Sequence, residues 1–177
     1  MDYVENDALI VSGTSTGSLI SFGLVGGNIN SKGKRVPMTV REVAKMYEDT
    51  IPKIFQKAEA KSIGDTVLKT LGSLGGVPLH PYTQSVLKAE VRRRFNGTLT
   101  KDVSHGGCLA AAVARQFNEG SEPDILDIFD TESEPEQLVE EVLLGSSAAP
   151  IYFEVPTTIG IRNYIDGGVA GFTVSLT

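Results

Sequence analysis

The chain of 177 residues contains no tryptophan, one cysteine and two histidines. A lone cysteine, Cys108, excludes an internal disulfide and leaves no thiolate cluster to hold a metal. Its neighbours Leu109-Ala110-Ala111-Ala112-Val113 mark it as a small buried apolar residue rather than a reactive thiol. Positive charge is also scarce: 16 basic residues face 22 acidic ones, for a net charge of −6. No electrostatic footprint for nucleic acid is therefore expected. The one basic cluster, Arg92-Arg93-Arg94, falls in a stretch of helical spacing and is expected on a solvated face. Long apolar runs are missing too. Residues 8–31 carry no charge, yet Gly, Ser, Thr and Asn interrupt them, short of the roughly 20 apolar residues a membrane span needs. The acidic start, Met1 to Asp7, lacks the basic region of a secretory leader. The expectation is a soluble intracellular protein, cytoplasmic or peripheral to intracellular membranes.

What is present is ordinary for a globular domain: 41% hydrophobic and 21% charged residues, enough chain for one proper core. Asp7-Ala8-Leu9-Ile10-Val11-Ser12 reads as a strand buried on both faces. Ser18–Val25 reads as a buried helix, and Lys32–Pro37 as a polar, basic loop. Thr39 is placed to cap a helix from Val40 to Phe55. A Gly/Pro-rich connection spans Gly72–Pro81, and helical spacing returns over Thr83–Phe95. Cys108–Val113 and Ile125–Phe129 read as strands. Ser133 with Glu136 forms a capping-box pattern before a helix at Pro135–Leu144, and Ile159–Ile165 reads as one last strand. Helices alternating with short apolar strands indicate an α/β layered domain.

The most informative residues are Gly13-Thr14-Ser15-Thr16-Gly17, directly after the first apolar strand. G-x-S-x-G between a strand and a helix puts the serine on a sharp turn, with its hydroxyl clear of the backbone and glycines relieving the crowding. The same turn sets Ser15 at a helix N-terminus, where free N–H groups favour developing negative charge. Ser15 is thus a candidate nucleophile, and a serine hydroxyl needs a base. His80 and His105 both precede any position expected of a late triad histidine, so a carboxylate acting directly is the remaining choice. Asp166 ends the last strand and is followed by Gly167-Gly168, which allow close approach of the chain. An ordinary Asp-Gly turn explains the same residues equally well.

Taken together, these stretches resemble the patatin-like phospholipase family, lipid acyl hydrolases with a Ser-Asp dyad. Gly13 to Gly17 is similar to the family's nucleophile elbow. Ser146-Ser147-Ala148-Ala149-Pro150-Ile151-Tyr152-Phe153 resembles its small-residue segment leading into Ala-Pro and an aromatic pair, and Asp166-Gly167-Gly168-Val169-Ala170 its dyad motif. Ile128-Phe129-Asp130-Thr131 falls where the family has a strand ending in a similar sequence. The resemblance implies a three-layer α/β/α sandwich with a central, largely parallel sheet. It implies Ser15 as nucleophile, Asp166 as base, Gly13, Gly17, Gly167 and Gly168 as motif glycines, and an acyl-enzyme intermediate. Acyl lipids are the implied substrates, met by transient contact with a lipid surface, with no metal and no organic cofactor.

Two departures from the family pattern bear on the site. Family members carry a glycine-rich oxyanion loop after a first strand, and only a dozen residues precede the elbow here. Gly26-Gly27 and Gly75-Gly76 are not placed to replace that loop, which leaves the backbone at Thr16 as a partial oxyanion hole. After the dyad motif the chain reads Ala170-Gly171-Phe172-Thr173 rather than the usual continuation. The expectation is one domain over residues 1–177, incomplete at both ends relative to the family. A non-catalytic lipid-binding or regulatory relative is the alternative function. A phosphate-binding turn is disfavoured because no Gly-Lys-Ser/Thr follows; the nearest lysine is Lys32.

Overall fold

The computed structural model describes residues 9–54, 84–117, 125–150, 152–153 and 157–169. Eight strands occur among them: β1 (Leu9–Thr14), β2 (Asn28–Ile29), β3 (Arg35–Val36), β4 (Ser104–His105), β5 (Cys108–Gln116), β6 (Leu126–Asp130), β7 (Thr157–Ile159) and β8 (Arg162–Asp166). The helices are α1 (Thr16–Gly26), α2 (Val40–Ile54), α3 (Ser85–Phe95) and α4 (Val139–Ser146). His80, Gly75-Gly76, the Gly72–Pro81 connection and Ala170 to Thr173 lie outside the described residues.

Strand β5 organises the sheet, because β1, β4, β6 and β8 all pair with it. β1 runs parallel to it over Leu9↔Cys108 to Thr14↔Val113, whereas β6 is antiparallel over Ala111↔Asp130 to Arg115↔Leu126. Both ladders use residues 111–113, so β1 and β6 occupy opposite edges of β5. β8 is antiparallel over Ala114↔Asp166 to Gln116↔Tyr164, overlapping β6, and therefore lies on the same edge as β1. β1 and β8 thus meet end to end: Thr14 is opposite Val113, and Asp166 is opposite Ala114.

The sheet is mixed, with helices flanking it, in keeping with the layered sandwich expected from the sequence. Its parallel ladder is β1/β5, the pair separated by α1, α2 and α3; a parallel neighbour requires such a crossover. The other ladders among the described residues are antiparallel. β5 and β6 are nine residues apart in sequence, and β7 turns directly into β8, connections suited to antiparallel neighbours.

One core joins the sheet to four helices, α2 contributing Ile54 at its end. Ala110, Ala112, Ala114, Phe129 and Tyr164 of the sheet meet Phe22 and Val25 of α1, Val91 and Phe95 of α3, and Val142 and Leu143 of α4. Phe22 and Phe95 stack edge to face with centroids 6.4 Å apart. The alanines of β5 let these helices approach the sheet closely. A smaller cluster of Met38, Val43 and Met46 packs α2 against Leu19 and Leu24 of α1.

Several local expectations are corrected. The first strand is not buried on both faces: Leu9 is 62% and Ile10 56% exposed, because β1 pairs only with β5 among the described residues. The Lys32–Pro37 segment is partly a hairpin, in which Asn30 Oδ1 accepts from the N–H groups of Lys32 and Lys34 and Gly33 takes φ 73°. Ser133 and Glu136 form no capping box, and the helix starts at Val139 instead. Asp130 Oδ1 accepts from Glu132 N and Ser133 N at 2.7 Å, the Ser133 hydroxyl donates to Ile128 O, and Glu136 pairs with Lys101. Leu138 is meanwhile kept extended by a bridge to Leu99. Burial works against ionised Asp130, but those backbone donors outweigh it and hold its carboxyl below the usual range.

The last strand is a hairpin, β7/β8, turning at Gly160 with φ 58°. Thr39 does cap α2: Glu42 accepts from Thr39 N and Oγ1, and Thr39 Oγ1 accepts from Glu42 N. The arginine cluster is only partly solvated. Arg93 and Arg94 both pair with Glu90, and the Arg94 side chain is 15% exposed. No described helix is long and apolar enough to cross a membrane.

Candidate active site

Ser15 occupies the single-residue junction between β1 and α1 with φ 56° and ψ −129°. Among the described residues it is the one non-glycine with positive φ. A serine held there costs about 1–3 kcal/mol, so the surroundings must over-determine it. They do so at both its backbone groups. Ser15 N donates to Ser146 O at 3.0 Å and to Ser146 Oγ at 3.2 Å. Ser15 O accepts from Ser18 N, from Ser18 Oγ at 2.6 Å and from Ser147 Oγ at 3.2 Å.

The turn also needs Gly13. A Cβ there would lie 2.3 Å from Gly17 C and 2.4 Å from Gly17 O, both backbone atoms. Gly17 is different: a Cβ at that position meets nothing within 4 Å. From the elbow, α1 continues with serines three apart. Ser18 and Ser21 are buried, and Ser21 Oγ lies within hydrogen-bonding distance of both Ser18 O and Ala111 O. Helix α2 reaches the same turn, where the Tyr47 hydroxyl donates to Thr16 O. Burial, opposed by that hydrogen bond, pushes the Tyr47 phenol up to about 12, so the hydroxyl stays protonated and keeps donating.

Asp166 is brought to this turn by the end-to-end meeting of β1 and β8. The residue is 4% exposed. Oδ1 accepts from Gly168 N at 2.8 Å and lies 3.4 Å from the Thr14 hydroxyl, which also reaches Val113 O at 3.1 Å. Close approach here requires Gly167, where a Cβ would lie 2.7 Å from Val113 O and 2.8 Å from Thr14 Oγ1. At Gly168 a Cβ would lie 3.1 Å from Asp166 Oδ1. Asp166 N donates to Ala148 O at 3.0 Å. Among the described residues no hydrogen bond joins the Ser15 hydroxyl to Asp166, and Asp166 Oδ2 accepts from none. The N–H groups of Thr16 and Gly17, at the start of α1, likewise have no acceptor among the described residues.

His105 does not belong to this group. It pairs with Cys108, five residues before Val113 on β5, so roughly 16 Å of strand separates it from the elbow. It lines a separate groove of about 580 Å³ with Lys34, Arg35 and Asp102. Among the described residues no cluster of three or more His, Cys, Asp or Glu side chains could hold a metal ion.

In the sequence, Ser146 to Ala149 stand out only through the family resemblance. The structure shows what that segment touches: both backbone groups of Ser15 and the backbone of Asp166. Hydroxyl-to-backbone bonds across 131 residues leave no local signature, although the run of small residues was visible.

A family model, Patatin-like phospholipase, matches residues 3–174. The chain belongs to the patatin-like phospholipase family. Among solved structures it is similar to VipD from Legionella pneumophila, at 16% identity and a TM-score of 0.37, over 93% of this chain and 41% of that one. The chain therefore spans less than half the length of that protein. No curated protein sequence matches the chain.

Proposed function

We propose that the chain is a serine acyl hydrolase of lipid esters, with Ser15 as nucleophile and Asp166 as base. The observation that carries this reading is the backbone of Ser15, φ 56° and ψ −129°, held at the junction of a strand and a helix beside a buried carboxylate. Such a strained non-glycine residue persists where the surrounding structure enforces it, and a nucleophile on a sharp turn is the use that fits.

In the proposed reaction Ser15 Oγ attacks the ester carbonyl carbon as its proton passes to Asp166 Oδ2, the oxygen left open by Thr14 and Gly168. The tetrahedral intermediate collapses, the C–O bond to the alcohol breaks, and the alcohol leaves with that proton. Water then attacks the acyl-Ser15 ester, again giving a proton to Asp166, and the carboxylic acid is released as Ser15 Oγ regains a proton. Thr16 N and Gly17 N, at the positive end of α1, supply the hydrogen bonds available to the developing oxyanion. Acyl lipids are the proposed substrates on the strength of family membership. Ile20 of α1 and Tyr152, in the turn after Ala149, are 38% and 45% exposed and offer apolar surface for contact with a lipid layer.

The reading is tested by hydrolysis of a p-nitrophenyl ester and of phospholipid vesicles by the wild type and by a variant with both His80→Ala and His105→Ala. The double variant is expected to keep hydrolysis within a factor of about three, because no imidazole takes part in the proposed proton transfer. A folded double variant without activity would replace the dyad by a histidine-dependent mechanism. A wild type that binds the vesicles without cleaving either ester would support the lipid-binding alternative.

A further inference from the structure

The hydroxyls of Ser146 and Ser147 do more than fill the C-terminus of α4. Ser146 is fully buried and stands at a node: its Oγ donates to Val113 O at 2.7 Å while accepting from Ser15 N at 3.2 Å. It therefore ties β5, the elbow and α4 together through one oxygen. Ser147 is 4% exposed, and its Oγ donates to Ser15 O at 3.2 Å. The next residue, Ala148, accepts from Asp166 N. Three consecutive residues thus bond the backbone on either side of the Ser15 side chain and the backbone of Asp166.

The geometry points to Ser146 and Ser147 as positioning residues that hold the Ser15 side chain in its reactive conformation; this inference rests on the nucleophile reading above. A backbone with φ 56° relaxes toward ordinary values unless both its N–H and its C=O are restrained. Helix α1 restrains the C=O from one side through Ser18. Among the described residues both acceptors of the N–H belong to Ser146, its carbonyl and its hydroxyl, and the Ser147 hydroxyl supplies the one donor to the C=O from outside α1. Removing the Ser147 hydroxyl leaves the apolar core side chains in place, so the variant is expected to fold. Without the Ser147 hydroxyl the Ser15 C=O is held, among the described residues, from Ser18 alone, which loosens the elbow and shifts Ser15 Oγ relative to both the ester carbon and Asp166. Small displacements of this kind are costly in rate because reacting groups must be held close to one geometry.

An alanine at either position removes the hydroxyl, but a small change in packing accompanies it. The pair Ser147→Thr and Ser147→Val separates the two effects, because threonine and valine share a shape and only threonine keeps the donor. Neither residue touches the substrate in the proposed reaction, so the effect should fall on the chemical step and not on ligand affinity.

The experiment is saturation kinetics of labelling by a fluorophosphonate probe, yielding kinact and KI for wild type, Ser147→Ala, Ser147→Val, Ser147→Thr and Ser15→Ala, with thermal unfolding recorded for each. The expected result is kinact about tenfold lower in the Ala and Val variants, the rate equivalent of one net hydrogen bond. KI should be unchanged, and the Thr variant should stay near wild type. Should the Thr variant misfold, Ser147→Ala, which introduces no added atoms, decides alone. Labelling of Ser147→Ala within twofold of wild type would overturn the positioning role, as would equal loss in the Val and Thr variants or a loss confined to KI. Ser15→Ala distinguishes the two levels: labelling that persists there withdraws the nucleophile itself, and the positioning role with it.

Discussion

Asp166→Asn is expected to lower the turnover of an ester substrate by about 10²–10⁴-fold with little loss of stability. Asparagine retains the oxygen that accepts from Gly168 N and faces the Thr14 hydroxyl. Its backbone bond to Ala148 O is untouched. What changes is the second carboxylate oxygen, replaced by an amide nitrogen that cannot accept a proton. A positioning or structural role for Asp166 would survive that exchange, whereas a base cannot. The measurement is kcat for a p-nitrophenyl ester beside a thermal melt of the same preparation. Turnover within tenfold of wild type would remove Asp166 from the proposed proton transfer and leave the Asp-Gly turn as its explanation.

The second large effect is at Gly13, and its contrast with Gly17 gives it force. The two glycines look equivalent in the motif, yet a Cβ at Gly13 would sit 2.3 Å from the Gly17 carbonyl carbon, and one at Gly17 meets nothing within 4 Å. No rotamer change relieves a clash with backbone atoms, so Gly13→Ala must move the elbow. A loss of about 3 kcal/mol is expected, which lowers the melting temperature by roughly 10 °C in a chain of this size. Fluorophosphonate labelling should fall by at least about a hundredfold, because the turn that presents Ser15 is displaced. Gly17→Ala should melt within about 2 °C of wild type, since it replaces a helical glycine with a better helix former in open space. Equal melting of the two variants would contradict the close packing of the elbow.

The elbow was legible in the sequence because its determinants are local. An apolar strand, a glycine on the crowded side and a serine before a helix lie within ten residues. The Thr39 cap was legible for the same reason, its partner Glu42 being three residues on. The Ser133–Glu136 pattern was equally local and misled, because Asp130 took the nearby N–H groups and a bridge between Leu99 and Leu138 delayed the helix to Val139. Tertiary contacts there outweigh a capping preference. The exposure of Leu9 and Ile10 was invisible because an apolar run does not reveal which neighbours its strand has. Asp166 could be named from its strand end and its glycines, and could equally have been an ordinary turn. Its approach to Thr14 depends on β1 and β8 sharing one edge of β5, a matter of register between segments some 150 residues apart. Ser146 and Ser147 are further still from any sequence rule, since their hydroxyls bond the backbone of a distant turn.

The claim that Ser15 is a nucleophile activated by its setting is tested most directly by intact mass and peptide mapping after treatment with a fluorophosphonate probe. The account predicts one adduct per chain, located on Ser15, absent in Ser15→Ala and formed far more slowly in Asp166→Asn. An adduct on another serine, or undiminished labelling of Ser15→Ala, would contradict it.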